Sequence, residues 1–301
     1  MKTWLLLLVS ALIALPLAAK TPRERLLIDA DALAARIADP HVVVLHVGDR
    51  DTYAAGHLPG ARLLTAGLLQ RPRSNDPDAL LLELPDREAL QTQLQQLGLV
   101  KDSRVIVVFG KDEFAPATRA VFTLDAAGWS DRVSLLDGGQ PEWVRRGHAL
   151  TTEVPTVARS TLATPKLHPQ AVDLRWLQGH AVNRQFTLLD ARLPEFYSGA
   201  QRSRYPSGEA PAGHLPGAKN LPFSDVLTPT LTLKSDDELR RLFAQRGVNK
   251  GDKAAIYCHI GQQASAVLFA ARLIGVDASL YDGSYQEWTQ LGHPVEVAAS
   301  R

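Results

Sequence analysis

An internal repeat constrains this chain more than any other feature of its 301 residues, because two halves carry the same motifs in the same order. The first half contains Gly56-His-Leu-Pro-Gly-Ala61, and the second contains Gly213-His-Leu-Pro-Gly-Ala218. Each half then ends with an Asp-Gly pair followed by Glu-Trp, at Glu142-Trp143 and at Glu287-Trp288. The length and the repeat together predict two domains that share one fold.

Short apolar runs alternate with amphipathic helical patterns in both halves. Val42–Val47 and Val105–Phe109 are such runs in the first half, and Phe186–Asp190 and Ala254–Tyr257 in the second. This alternation predicts an α/β fold in which crossover helices connect the strands of a parallel sheet.

We place the two domains at residues 25–150 and 170–300. The segment between them, residues 151–169, is rich in Thr, Pro and Ala and predicts an extended linker on the surface. The second half has an extra loop at Ala200–Ala212 that could help to shape a site. The first half has its own extra loop at Arg71–Asp78, which we interpret as plain surface.

The first 19 residues have the pattern of a secretory signal peptide. Lys2 precedes an apolar stretch from Trp4 to Leu15, and small residues end at Ala19. We expect a periplasmic or secreted protein without a membrane partner after cleavage. The alternative is that the segment stays as an N-terminal anchor.

The charge balance gives no reason to expect a nucleic-acid partner. Lys plus Arg number 33, and Asp plus Glu number 32. A balance this close lacks the basic excess that attracts phosphate backbones.

Cys258 is the only cysteine of the chain. It follows the apolar run at Ala254–Tyr257 and precedes a Gly-containing loop and a predicted helix from Ser265. Backbone N–H groups and the positive end of a helix dipole stabilise a thiolate. We therefore predict an activated nucleophile at Cys258; the alternative is an inert, buried cysteine.

Comparing the two copies predicts that only the second domain is active. Depending on the alignment, the counterpart of Cys258 is Gly110 or Phe109, and Gly48 stands where the second copy has Arg192. Both copies keep the Gly-His-Leu-Pro-Gly turn, so its histidines need no catalytic explanation.

The motifs together resemble those of the rhodanese family. These are Asp190-Ala-Arg192, the repeated Gly-His-Leu-Pro-Gly-Ala, the cysteine loop after a strand, and Tyr281-Asp-Gly-Ser-Tyr-Gln-Glu-Trp288. More narrowly, the chain is similar to two-domain thiosulfate and 3-mercaptopyruvate sulfurtransferases. The resemblance implies tandem rhodanese-like domains, each with a central parallel five-stranded sheet flanked by helices, the first inactive and the second catalytic.

The resemblance also implies a reaction. Cys258 would take a sulfane sulfur from a small anionic donor, thiosulfate or 3-mercaptopyruvate, carry it as a persulfide and pass it to cyanide or a thiol, without a metal or cofactor. The loop Cys258-His-Ile-Gly-Gln-Gln keeps only the cysteine and Gly261 of the family's usual loops, so it does not name the donor. The residues expected to bind substrate are Arg192, His259, Gly261, Gln262 and Gln263, and a second group expected near the site is Arg202, Arg204 and Asp190.

Several alternatives stay open for these residues. Arg192 could instead form a salt bridge with Glu195 or Asp190, and the two loop arginines could be solvated charges. His259 could aid the thiolate or simply face water.

Two other functions could use a cysteine at this position. A related phosphatase would need an arginine six positions after the cysteine, where this chain has Ala264, so that reaction is not expected. The non-enzymatic alternative is a carrier in which Cys258 only accepts a persulfide from a partner.

Overall fold

The computed structural model describes residues 20–65, 67–167, 171–181 and 186–297. The predicted signal peptide at residues 1–19 lies outside this range. Within the described part of the chain, no helix is both long enough and apolar enough to span a bilayer.

The first domain is built on a five-stranded parallel sheet with the order β1-β5-β4-β2-β3. The strands are β1 (Leu27–Ile28), β2 (Val42–Val47), β3 (Arg62–Leu64), β4 (Arg104–Phe109) and β5 (Val133–Leu136). The helices are α1 (Pro22–Leu26), α2 (Ala30–Ala34), α3 (Arg50–Ala55), α4 (Arg87–Gln96), α5 (Phe114–Leu124) and α6 (Gly139–Arg145). The N-caps of α2, α3 and α4 are Asp29, Asp49 and Asp86. Their side chains accept hydrogen bonds from backbone amides of the first turn that would otherwise lack a partner.

The second domain repeats this arrangement with the order β10-β7-β11-β12-β6. Its sheet contains β6 (Ala171–Val172), β7 (Thr187–Asp190), β10 (Lys219–Asn220), β11 (Lys253–Tyr257) and β12 (Asp277–Tyr281). Its helices are α7 (Leu174–Ala181), α8 (Pro194–Ser198), α9 (Asp236–Ala244), α10 (Gln262–Leu273) and α11 (Ser284–Gln290). The extra loop adds a short antiparallel hairpin, β8 (Arg204–Tyr205) with β9 (Gly208–Glu209). The predicted fold class is therefore confirmed.

The strand register decides which residue replaces the cysteine in the first domain. His46 pairs with Leu63 and Val108, as Asp190 pairs with Asn220 and Tyr257. The residues that follow Val108 and Tyr257 are Phe109 and Cys258. The counterpart of Cys258 is thus Phe109, and Gly110 corresponds to His259.

The two domains share one apolar core because α5 packs against α10. Buried side chains of both helices, such as Val121 and Val267, belong to the same cluster. Polar contacts between the two helices join Thr118 Oγ1 and Ser265 Oγ, which lie 2.9 Å apart, and Ser265 Oγ and the Ala115 carbonyl, at 3.3 Å. The cysteine loop leads directly into α10, so the first domain supports the element that positions the loop.

The Asp-Gly turn of each domain accepts a hydrogen bond from the backbone of the other domain. Asp137 Oδ1 accepts a hydrogen bond of 2.8 Å from the amide of Leu233, and Asp282 Oδ2 accepts one of 3.2 Å from the amide of Leu84. Asp282 has a further partner in Arg119, whose Nη1 lies 2.6 Å from Oδ1 while its Nη2 donates to the Leu82 carbonyl. Both aspartates therefore have an architectural role between the domains.

The two segments predicted as surface also contribute to this assembly. Residues 71–78 are exposed, but the next stretch reaches the second domain, where the side chain of Gln286 binds the backbone of Ala79 and Leu81. Residues 151–167 have no regular structure and lie along α4, with Arg87 Nε donating to the Pro165 carbonyl over 2.9 Å.

Replacing Arg119 tests how much the ion pair between Arg119 and Asp282 contributes to the stability of the protein. Arg119→Met leaves the mostly buried Asp282 carboxylate without its ion-pair partner, so we expect a loss of about 3 kcal/mol in the free energy of unfolding. Urea denaturation measures this loss. Arg25→Met is the matched control, because Arg25 pairs with the exposed Asp131 and should cost less than about 1 kcal/mol. Adding Asp282→Asn should recover part of the loss, and equal losses for Arg119→Met and Arg25→Met would contradict the assignment.

Candidate active site

Cys258 lies at the carboxyl end of β11, in the turn that leads into α10, and its side chain is fully buried. The turn ends at Gly261, whose φ of +84° is in the left-handed region. A Cβ at Gly261 would stand 2.9 Å from Arg119 Nη1 and 3.1 Å from the Asp282 carbonyl oxygen. Both backbone conformation and space therefore require glycine here, and the ion pair between the domains packs on the cysteine loop.

The loop amides surround the thiol as the sequence predicts, but they do not decide its pKa. Burial raises the pKa of Cys258, and hydrogen bonds from the backbone N–H groups of Ala264, Ile260, Gly261 and Gln263 lower it by less. The net direction is upward, so the expectation that the turn favours the thiolate at neutral pH is wrong for the unliganded protein. Because the side chain is excluded from bulk solvent, the anion loses its solvation, and four amides replace only part of it.

The backbone of Cys258 is held by the start of α11. Its amide donates to Ser284 Oγ over 3.3 Å, and its carbonyl accepts from the amide of Tyr285 over 3.0 Å. Ser284 has a φ of +53°, a conformation that costs a residue with a side chain free energy. Its counterpart Gly139 has a φ of +58° and lies against the ring of Phe109. The active copy thus places a hydroxyl where the other copy needs an empty space.

Arg192 forms a buried ion pair with Asp190. Nη2 lies 2.6 Å from Oδ2 and also donates to the Gly213 carbonyl over 2.7 Å, and Nε lies 3.0 Å from Oδ1. The guanidinium stacks on the Tyr285 ring at 3.9 Å. Burial opposes the charge of Arg192, but the Asp190 carboxylate outweighs it and raises the pKa, so the side chain stays a cation. Of the two salt bridges considered from the sequence, the structure forms the one with Asp190, and it is buried.

His259 and the two loop arginines meet at an open cleft of about 660 Å³, which we call the His259 cleft. Its lining includes Phe196, Arg202, Ser203, Arg204, Glu209 and His259. Arg202 and Arg204 both face Glu209, at 3.5 and 3.2 Å, and are largely exposed. Burial, and then the charge of Arg192, lower the pKa of His259 to about 4, so its imidazole is neutral at pH 7.

The two glutamines are placed differently from the other predicted residues. Gln262 lines a small cavity that it shares with Arg119 and other residues of the first domain, away from the His259 cleft. Gln263 contributes its amide to the thiol, whereas its side-chain Oε1 is buried without a hydrogen-bond partner in the described part of the chain. Of the two glutamines, only Gln263 meets the sulfur, and it does so through its backbone amide rather than its side chain.

The corresponding position of the first domain holds no comparable group. The Phe109 ring fills the place of the thiol, and His46 stands where the second domain has Asp190. Burial and the charge of His57 lower the pKa of His46 to about 4, so it is an uncharged part of the interior. The prediction of a single thiol site agrees with this geometry.

Comparison with known proteins settles the family. The family model of the rhodanese-like domain matches residues 29–146 and again 173–291. The chain belongs to the rhodanese-like family. The family predicted from the motifs is therefore confirmed.

Curated relatives of this rhodanese-like protein match nearly the whole chain. The sulfur carrier protein TtuD of Thermus thermophilus is 31% identical over 281 residues, which cover 89% of this chain and 95% of TtuD. The putative thiosulfate sulfurtransferase SseB of Mycobacterium tuberculosis is 33% identical, with coverage of 89% and 95%. The crystal structure of SseA from Escherichia coli, described as a 3-mercaptopyruvate sulfotransferase, superposes with a TM-score of 0.72 at 28% identity and covers 86% of this chain and 98% of SseA.

Three residues around the site of this rhodanese-like protein were not singled out from the sequence. Arg119 comes from the other domain, Ser284 follows the shared Asp-Gly pair, and Ser203 lies in the extra loop between the two arginines. Only Ser284 carries a signal in the repeat, because its counterpart is Gly139. Ser203 and Arg119 take their places through tertiary contacts.

The pKa of Cys258 gives a testable pH profile. Since burial raises this pKa, the thiolate fraction at pH 7–8 is smaller than that of a free thiol, and we expect the alkylation rate with iodoacetamide to rise with a midpoint above the usual value of about 8.5. The rate is measured across pH by mass spectrometry, with an acetylated and amidated cysteine peptide in the same buffers as the control. A midpoint below that of the control would mean that the four amides outweigh burial.

Proposed function

We propose that this rhodanese-like protein is a sulfurtransferase that moves a sulfane sulfur through a persulfide on Cys258. The observation that carries the proposal is the arrangement of four backbone N–H groups, from Ile260, Gly261, Gln263 and Ala264, around the only thiol of the chain. Such a ring of donors suits an anionic sulfur that must be held without a cofactor. The names of the relatives support the same reaction class.

The first half-reaction loads the enzyme. After the Cys258 thiol loses its proton to solvent, the thiolate attacks the outer sulfur of thiosulfate. A sulfur–sulfur bond forms on Cys258 as the bond to the sulfonate sulfur breaks, and sulfite leaves with the electron pair. The terminal sulfur of the persulfide then carries the negative charge, and the loop amides donate to it.

The second half-reaction unloads it. Cyanide or a thiolate attacks the terminal sulfur, the persulfide bond breaks, and its electron pair returns to Cys258 as thiolate. With cyanide the product is thiocyanate. Each half-reaction conserves charge and needs no external oxidant or reductant.

The charged residues near the thiol suit an anionic donor. Arg192 Nη1 is the guanidinium nitrogen that does not face Asp190, and we assign to Arg192 the positive field at the inner end of the site. At the outer end of the site, the two positive charges of Arg202 and Arg204 face the single negative charge of Glu209, which leaves one positive charge in excess. The donor is therefore thiosulfate or 3-mercaptopyruvate, both of which present an oxyanion beside the transferable sulfur.

From the pattern of residues 1–19 we infer that the reaction takes place outside the cytoplasm, in the periplasm or the medium. This location is part of the proposal. A solitary thiol is a liability in an oxidising compartment unless it has a function, and the proposed reaction supplies one.

A second candidate function is a persulfide carrier without turnover of its own. The name of TtuD, a sulfur carrier protein that matches nearly the whole chain, favours this candidate. The full burial of Cys258 is compatible with it too, since a partner that docks on the second domain would have to open the site.

Thiocyanate formation from thiosulfate and cyanide tests the enzyme. The purified protein should turn over, and Cys258→Ser should lower the rate by at least about 10³-fold because the hydroxyl does not form a persulfide. A Cys258→Ser variant as active as the parent protein would end the proposal. No turnover with thiosulfate or 3-mercaptopyruvate, together with an added sulfur atom on Cys258 by mass spectrometry, would favour the carrier.

A further inference from the structure

Ser203 connects the buried ion pair to the His259 cleft. It belongs to the extra loop of the second domain and is only 3% exposed. Its Oγ lies 2.8 Å from His259 Nδ1 and 3.5 Å from Arg192 Nη1. Asp190, Arg192, Ser203 and His259 thus form one chain of contacts that runs from the interior to the cleft.

The chemistry of these groups assigns the hydrogen on Ser203. A guanidinium only donates, so Ser203 Oγ accepts from Arg192 with one lone pair, and its own hydrogen can go to His259 Nδ1 or to the Tyr205 hydroxyl. The contact at 2.8 Å is the one to His259 Nδ1. The Tyr205 hydroxyl competes for the same hydrogen, but it lies where it donates to the His259 carbonyl over 3.2 Å.

If Nδ1 accepts, the proton of the neutral imidazole is on Nε2. Nε2 has no hydrogen-bond partner among the residues that the structure describes, and the ring lines the His259 cleft. The Phe196 ring packs edge-on against the imidazole of His259, with the ring centroids 4.6 Å apart, and this contact holds the imidazole in its orientation. The cleft is thereby given an N–H donor next to two guanidinium groups.

The low pKa of His259 agrees with a donor that acts while neutral. Burial and the charge of Arg192 hold it at about 4, so the imidazole does not supply a positive charge at pH 7. Its contribution to an anion is then a directed hydrogen bond, which depends on the tautomer.

We propose that Ser203 is a positioning residue that fixes His259 as the Nε2–H tautomer, and that this N–H binds an oxyanion of the sulfur donor in the His259 cleft. The identity of the ligand as a sulfur donor rests on the proposed function. The tautomer rests on the contacts alone.

Nitrogen-15 NMR at pH 7 reads the tautomer directly. The two ring nitrogens of His259, assigned among the nine histidines by their loss in His259→Gln, should show the proton on Nε2. Ser203→Ala should release this preference, and Ser203→Thr should keep it because the hydroxyl remains. A proton on Nδ1 in the parent protein, or an unchanged tautomer in Ser203→Ala, would overturn the assignment.

Steady-state kinetics tests the binding role. Ser203→Ala should raise the KM for thiosulfate by roughly tenfold, the effect of one hydrogen bond to a charged group, and leave kcat within about twofold. Ser203→Thr should stay near the parent protein. Ser207→Ala is the matched control, since Ser207 lies in the same loop and its Oγ accepts from Gln290 Nε2 over 2.8 Å, away from His259. Measuring 3-mercaptopyruvate alongside shows whether the cleft takes a sulfonate or a carboxylate, and an unchanged KM for both donors would contradict the proposal.

Failure of the proposed function can be told apart from failure of this inference. If the parent protein turns over neither donor, thiosulfate is titrated into Cys258→Ala, where no chemistry can occur. Shifts of the His259 ring signals that weaken when Ser203→Ala is added would still support the inference. An absence of shifts would overturn it.

Discussion

The helix that follows the cysteine loop is buried on every side, and this packing is the constraint on which the site depends. α10 lies against its own sheet on one face and against α5 on another, and residues Ala264 to Ala271 are all buried. A helix that is apolar all round cannot face water, so the second domain needs a cover. The first domain supplies it, and because the cysteine loop leads directly into α10, the cover also supports the loop. The thiol-free copy is therefore part of the active domain's structure even though it has no nucleophile.

The burial that makes α10 stable also determines the chemistry of Cys258. A thiol excluded from water is harder to ionise, and the four loop amides offset that cost only in part. In the proposed reaction, the same oriented amides would also hold the anionic outer sulfur of the persulfide. Such a loop suits both a sulfurtransferase and a carrier, since each requires a persulfide that persists until its acceptor arrives.

The repeat made the fold predictable, because two copies of one motif order leave few alternatives for the sheets. It also located the thiol and showed that its counterpart had changed. What it did not reveal depends on contacts distant in the sequence. The sequence predicts that Arg192 binds the sulfur donor. In the structure, however, its Nε and Nη2 groups donate hydrogen bonds to the Asp190 carboxylate, two residues earlier. The predicted direction of the Cys258 pKa shift was wrong because the loop sequence shows the amides but not the depth of burial. Ser203 stayed unnoticed since a serine between two arginines carries no pattern.

The two Asp-Gly turns make equivalent contacts between the domains, but one of them has an additional partner. Asp137 and Asp282 occupy equivalent turns and each accepts an amide of the other domain. Of the two, Asp282 also forms an ion pair, with Arg119, whose Nη1 lies against Gly261 of the cysteine loop. This ion pair stands at the copy that keeps the thiol, where a shift of the Gly261 backbone would move an amide that faces the sulfur. Arg119 therefore links the interface between the domains to the position of the cysteine loop.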